Sequence, residues 1–223
     1  MIVSDIDVTQ IQNERLTNSS FKSAVSHFAQ EDVREIPFKL RSAEDSYPVN
    51  RPIRCNPFIP EEIPENESCA EMFEIQVCGL VQRLRHIKAE HAVIGISGGL
   101  DSTLALLVTA SAFDKLGLSR KGIFAVTMPG FGTSSRTHDN AVTMCKELGV
   151  SFMEIDIKEA CLKHFQAIGQ DPTQHDTTFE NVQARERTEL LMNLANKHKG
   201  LVIGTGDLSE IALGWCTFNG DHM

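Results

Sequence analysis

Apolar side chains recur at helical spacing through Phe73, Val77, Leu80, Val81, Leu84 and Ile87, which predicts an amphipathic helix over residues 67–90. Short apolar runs then mark strands at 92–96, 122–127, 150–155 and 201–204. Between them the 3.6-residue period returns at 102–116, 135–148, 158–168 and 180–198, with Gly149 and Gly169 closing two of these helices. Strands alternating with helices imply an α/β fold, a parallel sheet flanked by helices on both faces. Ligands of such sheets bind beyond the carboxyl ends of the strands. The Gly95–Ser102 loop, the Met128–Thr133 loop and the Thr205–Glu210 turn all fall at such ends, so they are expected to meet at one crevice.

The region before residue 67 reads differently. Met1 to Val8 suggests a single strand and Thr9 to Arg15 a short helix. Six of the eight prolines (37, 48, 52, 57, 60 and 64) cluster together, which suggests an extended linker. One strand and a helical turn cannot bury a core, so residues 1 to about 45 are not expected to form a domain alone.

Composition narrows the classes. The chain has 223 residues, 41% hydrophobic and 23% charged, ordinary values for a globular protein. A net charge of −9 with no Lys/Arg cluster argues against a nucleic-acid surface. No apolar run is long enough to span a bilayer and no signal peptide is visible, so the expected location is cytoplasmic, with no membrane partner. Six cysteines (55, 69, 78, 145, 161 and 216) never form C-x-x-C, which favours free thiols over disulfides or zinc. The eight histidines form no metal-binding helix pattern.

The chemistry concentrates in residues 95–103, G-I-S-G-G-L-D-S-T, between an apolar strand and a helix. Gly98 and Gly99 permit close backbone approach to an anion, Ser97 and Ser102 offer hydroxyl donors, and the following helix points its N-terminus at the same place. Asp101 would repel a bare phosphate, but it suits a Mg²⁺ bridging to a nucleotide. A Walker A lysine is missing, since Leu100 follows the second glycine. Gly204-Thr205-Gly206 approaches a Rossmann fingerprint but has Ser209 at the third glycine position. The loop resembles the S-G-G-x-D-S loop of the ATP pyrophosphatases, the group of the asparagine, guanylate, argininosuccinate and NAD synthetases.

Three further segments narrow the resemblance. Residues 128–141 (M-P-G-F-G-T-S-S, then T-H-D-N-A), 180–187 (E-N-V-Q-A-R-E-R) and 204–215 (G-T-G-D-L-S-E-I-A-L-G-W) are similar to successive motifs of the NAD synthetases. Their long forms look most like the glutamine-dependent, two-domain branch. Residues 1–21 resemble the last strand and exit of that branch's nitrilase-like glutaminase domain. The resemblance implies an adenine nucleotide α-hydrolase-like fold, preceded by a strand and linker from the nitrilase-like domain. It divides the chain into a glutaminase tail with linker at 1–45 and a synthetase domain at 46–223 that is incomplete at its C-terminus.

The implied reaction is amidation of deamido-NAD to NAD. The substrate carboxylate attacks the α-phosphate of ATP, pyrophosphate leaves, and ammonia, free or drawn from glutamine, displaces AMP. No enzyme nucleophile is required, so no catalytic residue is assigned. By resemblance Gly95, Ile96, Ser97, Gly98, Gly99, Leu100, Asp101, Ser102 and Thr205 would bind ATP. Asn181, Arg185, Glu210, Trp215, Cys216, Thr217 and Phe218 would bind deamido-NAD, and Asp101 and Glu210 would hold Mg²⁺. Asn181 and Arg185 share a helix face by their spacing, whereas Arg187 lies on another and is expected to form surface ion pairs. Trp215, the only tryptophan, suits stacking on the nicotinate ring or equally a place in a core. The family more often has Ser at position 216 and Tyr at 218. Glu210 could instead be a solvated helix-start carboxylate, and Asp207 could supply the N-cap in place of Thr205.

Nothing in the chain resembles the glutaminase's Cys–Glu–Lys set, and the chain stops at the nicotinate-side motif. The expectation is therefore a fragment of a protein more than twice as long, inactive with glutamine and, on the same ground, with ammonia. A homo-oligomer is expected at full length. The alternatives are an inactive nucleotide-binding fragment and another ATP-pyrophosphatase amidotransferase.

Overall fold

The computed structural model describes residues 5–28, 34–38, 55, 64–132 and 135–214. The chain divides into two compact units, Met1–Pro60 and Glu61–Met223.

In the first unit, α1 spans Val8–Thr17 and α2 spans Ser19–Phe28. The strand expected over residues 1–8 is not found in its described part. Residues 5–7 are irregular and Val8 already opens α1. The cause is a cap: the Asp7 carboxylate accepts the Gln10 N–H at 2.9 Å and satisfies an orphan donor of the first turn. Asn18 does the same for α2, accepting from Phe21 N–H at 3.0 Å. No residue of α1 is buried, and the described side chains of α2 are exposed. These two helices therefore bury no residue among their described side chains. Most of the proline-rich stretch lies outside the described residues.

The second unit carries the sheet. Its elements run α3 (Glu65–Ile87), β1 (Ala92–Gly95), α4 (Leu100–Leu116), β2 (Ile123–Thr127), α5 (Ser135–Leu148), β3 (Ser151–Glu154), α6 (Lys158–Ile168), α7 (Thr177–His198), β4 (Leu201–Ile203) and α8 (Leu208–Leu213). All pairings are parallel and the strand order is β3-β2-β1-β4. Four strands and five of these helices lie where the apolar periodicity placed them. The segment expected as a plain turn at 205–210 instead enters α8.

Side chains alternate across the pleat, and each face has its own core. Ala92 and Ile94 of β1 with Ile123 and Ala125 of β2 pack against Val77, Leu84, Leu106, Phe113 and Cys145 from α3, α4 and α5. Val93 and Val126 face the other way, onto Cys161 and Phe165 of α6 and Phe179, Val182 and Leu191 of α7. Outside the first layer, Lys115 of α4 pairs with Glu74 of α3. Burial pushes the Cys145 thiol up to about 11, so it stays protonated near neutrality. Five described cysteines are free thiols. Among the described residues no helix is long and apolar enough to cross a membrane.

The strand order sets the position of the site. From β1 the chain moves outward through β2 to β3, then returns to the far side of β1 as β4. The winding reverses between β1 and β4, so the loops after these strands part there and leave a crevice.

Candidate functional site

A crevice of about 680 Å³ opens at that reversal point, within the range of small-molecule sites. Gly95, Ser97, Gly99, Asp101 and Ser102 line it after β1, Met128, Phe131 and Gly132 after β2, and Thr205 and Glu210 after β4. The three loops expected to converge do so.

The loop after β1 is built by close contact. Gly98 has φ +77, and a Cβ placed there would lie 2.0 Å from the Thr137 carbonyl oxygen of α5. Only glycine meets both demands. Gly99 is less constrained, its added Cβ meeting only the Ser97 hydroxyl at 3.2 Å. Ser97 Oγ accepts the Gly99 N–H at 3.2 Å, and Ser102 Oγ donates to the Gly99 carbonyl at 3.2 Å. The two hydroxyls are also 3.2 Å apart. α4 begins after Gly99 without a side-chain cap, so its positive end faces the crevice with the geometry of an anion site. Leu100, which opens α4, is 83% exposed, and Ile96 is buried.

α5 is fixed beside this loop. His138 Nε2 lies 2.9 Å from Glu154 Oε2 at the end of β3. Hydrogen bonds with Glu154 first and Asp139 second hold the His138 pKa above its ordinary value. This pairing tethers the first turn of α5, which carries the Thr137 carbonyl that abuts Gly98.

Two carboxylates assigned to metal, Asp101 and Glu210, line the same crevice. Glu210 closes a capping box: its N–H donates to Asp207 Oδ1 at 2.8 Å, and its Oε2 accepts the Asp207 N–H at 3.1 Å. Asp207 is thus the N-cap of α8, and Thr205 is left to line the crevice. The charge inventory of the described lining is acidic: Asp101, Glu180 and Glu210 against Arg187, with His175. Such a lining repels a bare polyphosphate and would suit one that brings a hard divalent cation. No group of three metal-binding side chains occurs among the described residues.

The wall formed by α7 differs from expectation. Asn181 is half-buried and Arg185 exposed, and neither lines the crevice. Glu180, Gln183, Arg187, Thr188 and Leu191 do. The surface ion-pair role expected for Arg187 is corrected: it is half-buried and its Nε donates to the Met128 carbonyl at 3.3 Å. Spacing by four identifies residues on one helix face, but not which face turns inward. The inward face is set by Phe179, Val182 and Leu191 packing under the sheet. Spacing alone also could not assign Gln183, Phe131, Phe179 and His175 to the crevice. Trp215, Cys216, Thr217 and Phe218 lie outside the described residues.

Comparison with known proteins bears on this crevice. Residues 71–223 match the family model described as NAD synthase. A glutamine-dependent NAD(+) synthetase of Mycobacterium leprae is 44% identical over 99% of this chain and 34% of its own length. The chain thus spans about a third of the length of the curated relatives it matches. A glutamine-dependent NAD+ synthetase from Acinetobacter baumannii, solved in complex with ADP, superposes with a TM-score of 0.64 at 32% identity, over 73% of this chain and 30% of that one. An NMN synthetase from Francisella tularensis superposes with a TM-score of 0.59 at 27% identity, over 68% of this chain and 60% of that one.

Proposed function

The chain belongs to the NAD synthase family, and from that premise we propose that it carries the ATP-dependent amidation of deamido-NAD to NAD, releasing AMP and pyrophosphate. The observation that supports this most is the crevice itself. An uncapped helix start, a glycine turn that no other residue fits and two metal-suited carboxylates share one cleft at the reversal of a parallel sheet.

In this reading ATP lies with its phosphates on the Gly95–Ser102 loop. Gly95, Ile96, Gly98, Gly99 and Leu100 shape that loop, Ser97 and Ser102 turn hydroxyls toward the phosphates, and Thr205 bonds the nucleotide from the β4 side. Asp101 and Glu210 would hold Mg²⁺, which would neutralise charge at the phosphates. The carboxylate of deamido-NAD attacks the α-phosphorus and pyrophosphate departs. Ammonia then adds to the acyl carbon and AMP leaves with the carboxylate oxygen. The residues orient the two substrates and exclude water, and none becomes covalently attached. Asn181, Arg185 and residues 215–218 are proposed to take deamido-NAD. The exposed position of Arg185 requires the dinucleotide to extend over the outer edge of α7. Residues 1–45 are proposed as the tail of a glutaminase domain and 46–223 as the synthetase domain, working as a homo-oligomer in the reducing cytoplasm, where free cysteines persist.

The resemblance to an NMN synthetase favours one second reading, amidation of the corresponding mononucleotide. Assays of the full-length protein with ATP, Mg²⁺ and ammonium decide between them. Amidation of deamido-NAD with a kcat/KM about tenfold or more above that for the mononucleotide is expected. The reverse ratio would install the second reading, and no amidation of either would remove both.

A further inference from the structure

Gln183 is 3% exposed, a buried amide with no part in the reading above, and both its ends are occupied. Its Oε1 accepts the Phe131 N–H at 3.1 Å, and its Nε2 donates to the Phe179 carbonyl of its own helix at 3.2 Å. One turn along α7, Arg187 Nε donates to the Met128 carbonyl. The loop after β2 is therefore held by two side chains of α7. From another direction the Ile157 N–H donates to the Pro129 carbonyl at 3.2 Å.

Gly130 shows how closely the loop is pressed. A Cβ there would lie 2.5 Å from Gln183 Oε1 and 2.9 Å from Arg187 Nη2. Any larger residue must push the loop off the helix or displace both side chains. What the clamp presents is Phe131. Its ring centroid lies 5.4 Å from that of Phe179 and 6.4 Å from that of Phe165, and His175 stacks on Phe179 at 4.3 Å. Phe131, Phe179 and His175 all line the crevice. Phe179 is buried, its ring stacked by Phe165 and His175, so Phe131, 39% exposed, offers the open aromatic face, which suits a flat heteroaromatic ring beside a separate phosphate loop.

We propose that Gln183 and Arg187 are positioning residues that hold Phe131 against Phe179, so that this aromatic wall receives the base or pyridine ring of a bound nucleotide while the Gly95–Ser102 loop takes its phosphates. The inference rests on the function proposed above. Gln183 and Arg187 act through the loop; Phe131 makes the contact.

The test approaches the clamp from both sides in the full-length protein. Gln183→Leu removes the acceptor for Phe131 N–H, and Gly130→Ala drives a methyl group against Gln183 and Arg187 from the loop side, with no residue of α7 replaced. Each is expected to raise the KM for ATP or deamido-NAD at least about fivefold while the inhibition constant for pyrophosphate stays within about twofold. Pyrophosphate carries no ring, so a structural collapse would weaken both. Phe131→Ala is expected to give the same signature, and Gln183→Leu combined with Phe131→Ala to lose no more than Phe131→Ala alone, because the clamp acts through that ring. Parallel weakening of pyrophosphate, unchanged KM values, or additive losses in the double variant would overturn the proposal. Absence of NAD formation by the unmodified protein would count against the function instead. The clamp would then be judged by calorimetric titration with Mg²⁺–ATP and with pyrophosphate, read by the same contrast.

Discussion

Gly98→Ala is expected to abolish deamido-NAD-dependent exchange of pyrophosphate into ATP. Two costs fall on the same methyl group. At φ +77 an L-residue bears about 1–2 kcal/mol of backbone strain. The larger cost is steric, because the Cβ would sit 2.0 Å from the Thr137 carbonyl oxygen. Backbone cannot yield there without moving either α5 or the loop that positions Ser97 and the start of α4. A displacement near 1 Å costs on the order of 100-fold in rate when it misplaces reacting groups, so exchange should fall by at least that factor. Gly149 supplies the control. It has φ +72 but nothing within 4 Å of an added Cβ. Gly149→Ala should therefore bear the strain alone, lowering stability by about 1 kcal/mol and leaving exchange intact. Exchange by Gly98→Ala within about threefold of the unsubstituted protein would show that the loop does not hold the phosphates.

Asp101→Ala should cost nearly as much by a different route. Asp101 is exposed in the first turn of α4, where its helix-dipole contribution to folding is only about 0.3–1 kcal/mol. Thermal denaturation should hardly change. Exchange should fall ~10²–10³-fold, because losing the metal ligand proposed here would withdraw several kcal/mol of charge stabilisation from the phosphates. Asp101→Asn, which keeps the shape and loses the charge, should behave alike. Near-normal, Mg²⁺-dependent exchange by Asp101→Ala would mean that the metal is held elsewhere.

The sequence reached furthest where a local rule coincided with the tertiary one. The helices of the second unit were legible because their apolar stripes are the stripes that the two cores bury, and Gly149 and Gly169 stop two of them in the left-handed conformation. The glycine loop was legible because its chemistry is local. The β3-β2-β1-β4 order was not, since every strand places apolar side chains on both faces and nothing in its residues names its neighbour. Met1 to Val8 reads as a strand, but within its described part the Asp7 carboxylate caps a helix that opens at Val8. On α7, Asn181 and Arg185 are four residues apart, a spacing that puts them on one face. Which face lines the crevice depended on burial under the sheet, and that brought Gln183 and Arg187 inward instead.

The proposed reaction turns on attack of the deamido-NAD carboxylate on the α-phosphorus of ATP, with pyrophosphate leaving. Deamido-NAD labelled with ¹⁸O in that carboxylate, turned over by the full-length protein with ATP, Mg²⁺ and ammonium, tests it most directly. The acyl-adenylate route predicts one labelled oxygen in the AMP and none in the pyrophosphate. Label in pyrophosphate or in inorganic phosphate, with unlabelled AMP, would contradict it.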